Sequence, residues 1–333
     1  MKPIPTLAVA LTAEETADFL PGLIPELRLL AADIRFVDTA GLTPEAYAAR
    51  LAEINPDVLV ACWSTPPLPA VLPPRLRYAC YVAGGVRNFV SRAHLEGGLV
   101  LTNWGSSISR TVAECALLLT LATLRRVGHW VPSLHRDAGW RGNRPEGASL
   151  FCRRVGVHGF GNSAREFISL LKPFGVEVGV CAPEDDPAEY AAHGAHRVPD
   201  LDALFSGSDV VVELAPLNPA TRGVVTERLL RLIPEGGVFV NVARGAIVDE
   251  EALVRVAREG RIGVGLDVYA VEPLPAASGL RGLPNVVLLP HIAGPTLERR
   301  RDAGAFALRN LQAYAEGKPL QAVITPEIFD QLT

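Results

Sequence analysis

The chain has 333 residues, enough for two domains, and its 49% hydrophobic and 20% charged residues are typical of globular proteins. A formal charge of −4 provides no basic field for nucleic acid or anionic lipid, so neither partner is expected. The five cysteines share no metal-ligand spacing, which favours reduced thiols in a cytoplasmic protein and predicts no metal site.

Neither of two conspicuous apolar segments has the properties of a secretion or membrane signal. The N-terminal run is short and is soon followed by Glu14 and Glu15, which argues against a signal peptide. The segment 112–124 contains Glu114 and is too short to span a bilayer, so we expect a buried or interface helix. These features predict a cytoplasmic protein without a membrane partner.

The first third of the chain alternates short apolar runs with amphipathic stretches. Helical periodicity covers 13–30, 43–53 and 87–96. The apolar runs predict strands over 6–11, 33–37, 57–62, 77–82 and 99–102. Strands separated by helices of this length predict right-handed crossovers and a parallel sheet.

The rest of the chain repeats this plan after a helix over 109–126 and a polar stretch, 127–150, predicted to be irregular. Strands are predicted over 154–159, 176–181, 209–214, 237–242, 262–268 and 285–290. A helix over 162–172 would bury Ala164, Phe167, Ile168 and Leu171, and a long helix is predicted over 296–316. The fold class is therefore α/β with two open parallel sheets.

A glycine-rich turn joins the strand over 154–159 to the next helix. Gly159 and Gly161 stand where a dinucleotide fingerprint needs them, the first for a tight turn and the second for close approach of pyrophosphate. Ala164 meets the third requirement, a small residue for helix packing. An incidental turn with two glycines remains the alternative at this point.

The following strand should end in an acidic residue that binds the adenosine ribose. Ala182 occupies that position, and Glu184, Asp185 and Asp186 follow it. Three carboxylates would repel a 2′-phosphate, and the sequence places no basic residue there. NAD is therefore favoured as cofactor, with NADP left open.

Four further residues stand at or just after strand ends. Arg244 lies between a strand and a helix, and Asp267 lies near the end of another strand. Glu272 is in the loop that follows, and His291 comes directly after a strand and a proline. Each residue alone is compatible with an ordinary surface or structural role, so their order along the chain carries the argument.

Taken in chain order, short segments resemble the D-isomer-specific 2-hydroxyacid dehydrogenase family, which includes phosphoglycerate dehydrogenases, glyoxylate/hydroxypyruvate reductases and D-lactate dehydrogenases. The matching segments are Gly159-Phe160-Gly161, Pro216-Leu217, 241–250, 267–273 and 290–294, with further likeness over 83–88 and 111–126. The resemblance implies a Rossmann-type cofactor domain, 105–294, inserted into a flavodoxin-like substrate domain, 1–104 plus 295–333, with a cleft between them. It also implies a homodimer formed through the helix over 109–126.

The resemblance assigns roles in hydride transfer between nicotinamide and a small 2-keto or D-2-hydroxy acid. His291 would be the acid/base, Glu272 would accept its other ring N–H, and Arg244 would anchor the substrate. Backbone amides of Ala83, Gly84 and Gly85 would hold the substrate carboxylate. The implied cofactor contacts are Gly159, Phe160, Gly161, Asn162, Ser163, Ala182, Pro216, Asn218, Val242, Ala243, Asp267 and Gly294.

The chain departs from the family pattern at several positions and leaves other functions open. Asn162-Ser163 replaces a basic and apolar pair, Asn218 replaces a threonine, and Trp104 is unusual beside Asn103. Further departures are Arg87, Ile108 and Arg110.

A non-catalytic dinucleotide-sensing protein, like the corepressor branch of the family, is one alternative, and a phosphoglycerate dehydrogenase is another. Glu272 argues against formate dehydrogenase, in which the partner of the catalytic histidine is usually glutamine.

Overall fold

A computed structural model describes residues 3–142, 147–183 and 187–331. The chain divides into two compact units, Met1–Ile108 with Pro295–Thr333, and Ser109–Gly294. The boundary falls at 108/109 rather than 104/105, because Gly105 packs within the first unit. A Cβ on Gly105 would lie 2.8 Å from Ala322 and 2.9 Å from Phe306.

Each unit contains one parallel sheet. In the first, the strand order is β2-β1-β3-β4-β5, the flavodoxin-like order. Its strands are β1 (Ile4–Ala10), β2 (Ala31–Val37), β3 (Val58–Ala61), β4 (Tyr78–Tyr81) and β5 (Val100–Thr102). All their pairings are parallel, as the alternating strands and helices predict.

The sheet of the second unit has the order β12-β11-β10-β9-β6-β7-β8, which contains the Rossmann arrangement. Its strands are β6 (Arg154–His158), β7 (Glu177–Cys181), β8 (His196–Arg197), β9 (Val210–Glu213), β10 (Val238–Asn241), β11 (Gly263–Leu266) and β12 (Val286–Leu288). The predicted α/β class with two open parallel sheets is confirmed. Sequence periodicity missed β8 alone among these strands, because two polar residues form no apolar run.

Helices connect the strands and cover the sheets. In chain order they are α1 (Ala13–Phe19), α2 (Ile24–Leu30), α3 (Pro44–Ile54), α4 (Arg92–Glu96), α5 (Ser109–Leu124), α6 (Val127–Arg136), α7 (Asn162–Leu171), α8 (Pro187–His193), α9 (Leu201–Gly207), α10 (Glu227–Leu232), α11 (Glu250–Arg258), α12 (Arg300–Glu316) and α13 (Pro326–Gln331). None of the helices in the described residues is long and apolar enough to cross a membrane.

Two helix predictions and one prediction of irregular chain need correction. The helix predicted over 13–30 is two helices, because Gly22 adopts a left-handed φ of 75° between them. The helix predicted over 87–96 begins only at Arg92, after its N-cap Ser91. The stretch 127–150 is not wholly irregular, since α6 occupies its first part despite the proline at position 132.

Candidate active site

The glycine-rich turn between β6 and α7 approaches the end of β9 closely. Gly159 has a φ of 93°, and a Cβ there would lie 2.7 Å from the backbone N and Cα of Ala215. This position therefore requires glycine. Gly161 is the N-cap of α7, whose buried face includes Ala164 as predicted.

The N-terminus of α7 has the donors that a pyrophosphate needs. The backbone N–H groups of Asn162 and Ser163 donate to no acceptor in the described residues. Unsatisfied N–H groups at a helix N-terminus, together with the helix dipole, form an anion-binding site. The turn therefore fits the diphosphate of a dinucleotide.

A buried ion pair lies directly beneath this turn, and sequence reasoning missed it. His158 ends β6 and Glu213 ends β9, opposite each other in the parallel register. His158 Nδ1 lies 2.6 Å from Glu213 Oε2, while Glu213 Oε1 accepts the N–H of Ala215 at 2.8 Å. Burial acts to lower the pKa of His158, but the charge and hydrogen bond of Glu213 outweigh it and raise that pKa. The sequence does contain a signal for this pair, because His158 and Glu213 are polar residues at the carboxyl ends of two largely apolar strands.

The ribose end of the fingerprint lies after β7, where Ala182 is half-buried. Glu184, Asp185 and Asp186 lie outside the described residues. Burial and Asp200 raise the pKa of the Cys181 thiol, whereas Arg197 lowers it. An acidic and a basic side chain are thus both close to the end of β7, and Arg197 was not recognised from sequence because β8 was missed.

The loop after β9 is fixed by a compact turn. Asn218 Oδ1 accepts the N–H groups of Ala220 and Thr221 at 2.9 and 3.0 Å. The Thr221 hydroxyl donates to the carbonyl of Pro216 at 2.6 Å. Asn218 therefore holds the Pro216–Asn218 segment in one conformation, a role that a short polar side chain performs well.

The turn that carries Arg244 is shaped by a buried asparagine at the end of β10. Asn241 Oδ1 accepts the N–H of Ala243 at 3.0 Å, and its Nδ2 donates to the Arg244 carbonyl at 3.0 Å. Val242 is buried between them. Arg244 Nη1 also donates to the Ala243 carbonyl at 2.7 Å. Asn241 is a positioning residue that the sequence analysis did not single out.

Gly245 allows this turn to contact the segment that leads to Glu272. A Cβ on Gly245 would overlap the backbone of Tyr269 and Ala270. Desolvation lowers the pKa of the Arg244 guanidinium and Glu272 raises it, so the two side chains interact electrostatically. Arg244 nevertheless carries its charge, because a guanidinium in a protein remains protonated.

Glu272 and His291 form a hydrogen-bonded pair. His291 Nδ1 lies 2.6 Å from Glu272 Oε2, while Glu272 Oε1 accepts the N–H of Tyr269 at 2.9 Å. Both side chains are partly exposed, at 47% for His291 and 34% for Glu272. His291 Nε2 has no hydrogen-bond partner in the described residues.

Asp267 holds the loop that carries His291. It is fully buried just beyond β11, and its two oxygens accept the N–H groups of Ile292 and Ala293, each at 2.8 Å. Burial raises its pKa, and these two hydrogen bonds oppose the rise. The bonds fix the chain just after His291, which itself has a left-handed φ of 55°. This loop ends the second unit at Gly294.

Arg244, Glu272 and His291 therefore come together in the second unit. They follow β10, β11 and β12, which are neighbours in the sheet. Ligand sites in open parallel sheets form at the carboxyl ends of the strands, and this cluster has that location. It combines a fixed positive charge with an imidazole whose second nitrogen is held by a carboxylate.

The predicted carboxylate loop follows β4 in the first unit. The N–H groups of Gly84 and Gly85 have no acceptor in the part of the chain that the structure describes. Asn103 Nδ2 donates to the Gly84 carbonyl at 3.1 Å, and the Trp104 N–H donates to the Ala83 carbonyl at 3.2 Å. The loop thus has the Ala83 and Gly84 carbonyls occupied and two N–H groups free, an arrangement that binds an anion.

Comparison with known proteins identifies the family. Residues 117–293 match the NAD-binding domain of D-isomer-specific 2-hydroxyacid dehydrogenases. Glyoxylate/hydroxypyruvate reductase B of Pectobacterium carotovorum is 33% identical over 263 residues, covering 77% of this chain and 81% of that protein. The 4-methyl-2-oxopentanoate reductase A of Aspergillus oryzae is 31% identical over 266 residues, covering 78% and 77%.

Among solved structures, the glyoxylate reductase from Paecilomyes thermophila superposes with a TM-score of 0.82 at 25% identity, covering 97% of this chain and 99% of that one. The chain therefore belongs to the D-isomer-specific 2-hydroxyacid dehydrogenase family. The family and the enzyme class predicted from the sequence are confirmed. The matched domain makes a nicotinamide dinucleotide the cofactor.

Proposed function

We propose that the chain is an NAD-dependent reductase that converts a small 2-keto acid to the D-2-hydroxy acid and catalyses the reverse reaction. The observation that carries this proposal is the 2.6 Å contact between His291 and Glu272, next to Arg244. The first unit would be the substrate domain and the second the cofactor domain. A phosphoglycerate dehydrogenase, which would catalyse the same reaction on one particular substrate, is the more specific alternative.

The three side chains have complementary roles in this proposal. When bound, the nicotinamide supplies the hydride that reduces the ketone carbon. Protonated His291 gives the Nε2 proton to the ketone oxygen, because imidazoles exchange protons near neutral pH. Glu272 accepts the Nδ1–H at 2.6 Å, which orients the ring so that Nε2 faces away from the carboxylate. Arg244 binds the substrate carboxylate and polarises the ketone.

The substrate carboxylate would also be held by the loop after β4. The N–H groups of Gly84 and Gly85 are the donors proposed for it, with Ala83 supporting the turn. Charged hydrogen bonds of this kind are stronger than neutral ones, so they favour acids over aldehydes and ketones without a carboxylate.

The dinucleotide would lie along the glycine-rich turn and the loops that follow β7, β9 and β10. The proposed contacts are Gly159, Phe160, Gly161, Asn162, Ser163, Ala182, Pro216, Asn218, Val242, Ala243, Asp267 and Gly294. NAD is preferred because three carboxylates follow Ala182 in the sequence and would repel a 2′-phosphate. Arg197, near the end of β7, would instead attract a 2′-phosphate and favour NADP, so activity must be measured with both cofactors.

We also propose a cytoplasmic homodimer assembled through the second unit. Helix α6 has no buried residue, and it carries apolar side chains that are exposed in the single chain. These are Val127, Val131 and Leu134, with Leu118 of α5 and Trp140 also exposed. An exposed apolar surface on a helix pair is typical of a subunit interface.

The proposal is tested with a panel of 2-keto acids, each supplied with NADH and with NADPH. The assay follows the loss of the absorbance of the reduced nicotinamide. We expect reduction of at least one acid, with a lower KM for NADH than for NADPH. Tight binding of a dinucleotide without turnover of any acid would instead indicate the sensing role, and would refute the enzymatic proposal.

A further inference from the structure

We propose that Trp63 and Trp104 form an apolar wall beside the Gly84–Gly85 loop, and that this wall selects 2-keto acids with aromatic or branched aliphatic side chains over glyoxylate and hydroxypyruvate. The inference rests on the proposed function, and specifically on the carboxylate being held by that loop. All the residues involved belong to the first unit.

Trp104 lies directly on the loop. A Cβ on Gly84 would be 2.5 to 2.7 Å from three atoms of the indole ring, so the ring occupies the space that a side chain would need. The Trp104 main chain is tied to the same loop through its bond to the Ala83 carbonyl. The indole, on the loop after β5, and the free N–H groups, on the loop after β4, are therefore neighbours.

Trp63 extends this aromatic surface, at the edge of a pocket that is also lined by Glu15, Asp18 and Arg300. It follows β3 by two residues, and its ring lies edge-on to Trp104, with centroids 5.7 Å apart and an interplanar angle of 87°. The residue is 45% exposed, whereas tryptophan is highly buried on average. An apolar ligand group that covered it would release ordered water and gain free energy.

The wall is held rigidly. Phe19 packs edge-on against Trp63 at 5.2 Å, and the Arg300 guanidinium lies 5.2 Å from the Trp63 ring centroid. Arg300 is in turn held by Asp18 at 2.7 Å. Fixed aromatic surface loses little conformational entropy when it binds, so it can discriminate between substrates.

The structure of a 2-keto acid explains why this wall would determine which substrate side chains are preferred. In a 2-keto acid the side chain is attached to the carbon next to the carboxylate. A carboxylate on the Gly84 and Gly85 N–H groups therefore brings that side chain within reach of the indole on Gly84. Glyoxylate has only a hydrogen there and hydroxypyruvate a polar hydroxymethyl group, so neither can cover the apolar surface.

The test compares kcat/KM for phenylpyruvate, 4-methyl-2-oxopentanoate, glyoxylate and hydroxypyruvate in the wild type and in Trp63→Ala, Trp63→Leu and Trp104→Ala. Phe36→Ala is the matched control, because Phe36 is also an exposed aromatic of the first unit, at 41%, beneath an arginine. Thermal unfolding of each variant establishes that it is folded, and Trp63→Leu keeps apolar bulk if the alanine variants do not fold.

We expect the wild type to prefer the two apolar acids. The alanine variants should lose about 10- to 100-fold in kcat/KM for them and less than about 3-fold for glyoxylate, since apolar contacts discriminate by this order. Trp63→Leu should lie between, and Phe36→Ala should match the wild type. A wild-type preference for glyoxylate, or equal losses on all four acids, would overturn the inference and leave the proposed function standing. Failure to reduce any acid would overturn both.

Discussion

His158 and Glu213 form a pair as short as that of His291 and Glu272, 2.6 Å in each case, but the first is buried and the second is partly exposed. The same chemistry therefore serves two purposes in one unit. In the exposed pair, His291 Nε2 has no partner in the described residues, and we propose that it serves the substrate. The buried pair joins β6 to β9 under the turn proposed to bind the dinucleotide, so it contributes to the stability of that turn.

Removing one member of the buried His158–Glu213 pair should destabilise the protein more than removing both. His158→Leu leaves the Glu213 carboxylate buried without its partner, which we expect to lower the free energy of unfolding by about 3–5 kcal/mol. The double variant His158→Leu/Glu213→Leu removes both charges and should recover much of that loss. Urea denaturation of the three proteins measures this. Equal stabilities for the single and double variants would contradict the ion-pair account.

The same pair predicts a pH dependence of stability. Glu213 raises the pKa of His158 above its unfolded value, so the folded protein binds this proton more tightly. The contribution is fully present below the unfolded value of about 6.5 and is lost as pH rises through the raised pKa. The difference in unfolding free energy between the wild type and His158→Gln should therefore shrink with rising pH. If this difference in unfolding free energy grew with rising pH, the pKa of His158 would be lowered in the folded protein rather than raised.

Gly245 should be essential for activity without contacting a substrate. Gly245→Ala forces the Arg244 turn away from the backbone of Tyr269, and a displacement of this kind reduces turnover by about 10²-fold. Gly207→Ala is the control, because a Cβ at Gly207 has nothing within 4 Å. Steady-state kinetics on the best keto acid should show the loss in the first variant alone.

The proposed subunit interface can be tested by introducing charge. Val131→Glu/Leu134→Glu places two carboxylates on the exposed apolar face of α6, which should convert the proposed dimer to a monomer in light scattering. Leu29→Glu, at an exposed apolar residue of the first unit, should leave the mass unchanged. A wild-type protein that is monomeric at micromolar concentration would exclude this interface.

Sequence patterns predicted the parallel sheets because most strands are buried on both faces and are therefore nearly continuous apolar runs. The edge strand β2 is partly exposed along most of its length. The same reasoning missed β8, which is short and polar, and α6, whose apolar face is exposed rather than packed in its own core. The sequence analysis selected Arg244, Glu272 and His291 as site residues because of the order of their segments along the chain.

What the sequence could not show were the contacts between distant segments. Asn241 and Gly245 shape the Arg244 turn through backbone contacts, and no periodicity marks them. Similarly, the stacking of Trp104 on Gly84 depends on how the loops after β4 and β5 meet. Such residues are recognised only once the fold brings the loops together.

The most direct test of the account is the kcat of His291→Ala with the best keto acid, measured together with the affinity for NADH by fluorescence. We expect kcat to fall by about 10²- to 10⁴-fold, because the proton donor is lost, while NADH still binds with wild-type affinity. An unchanged kcat would contradict the assignment of His291 as the acid.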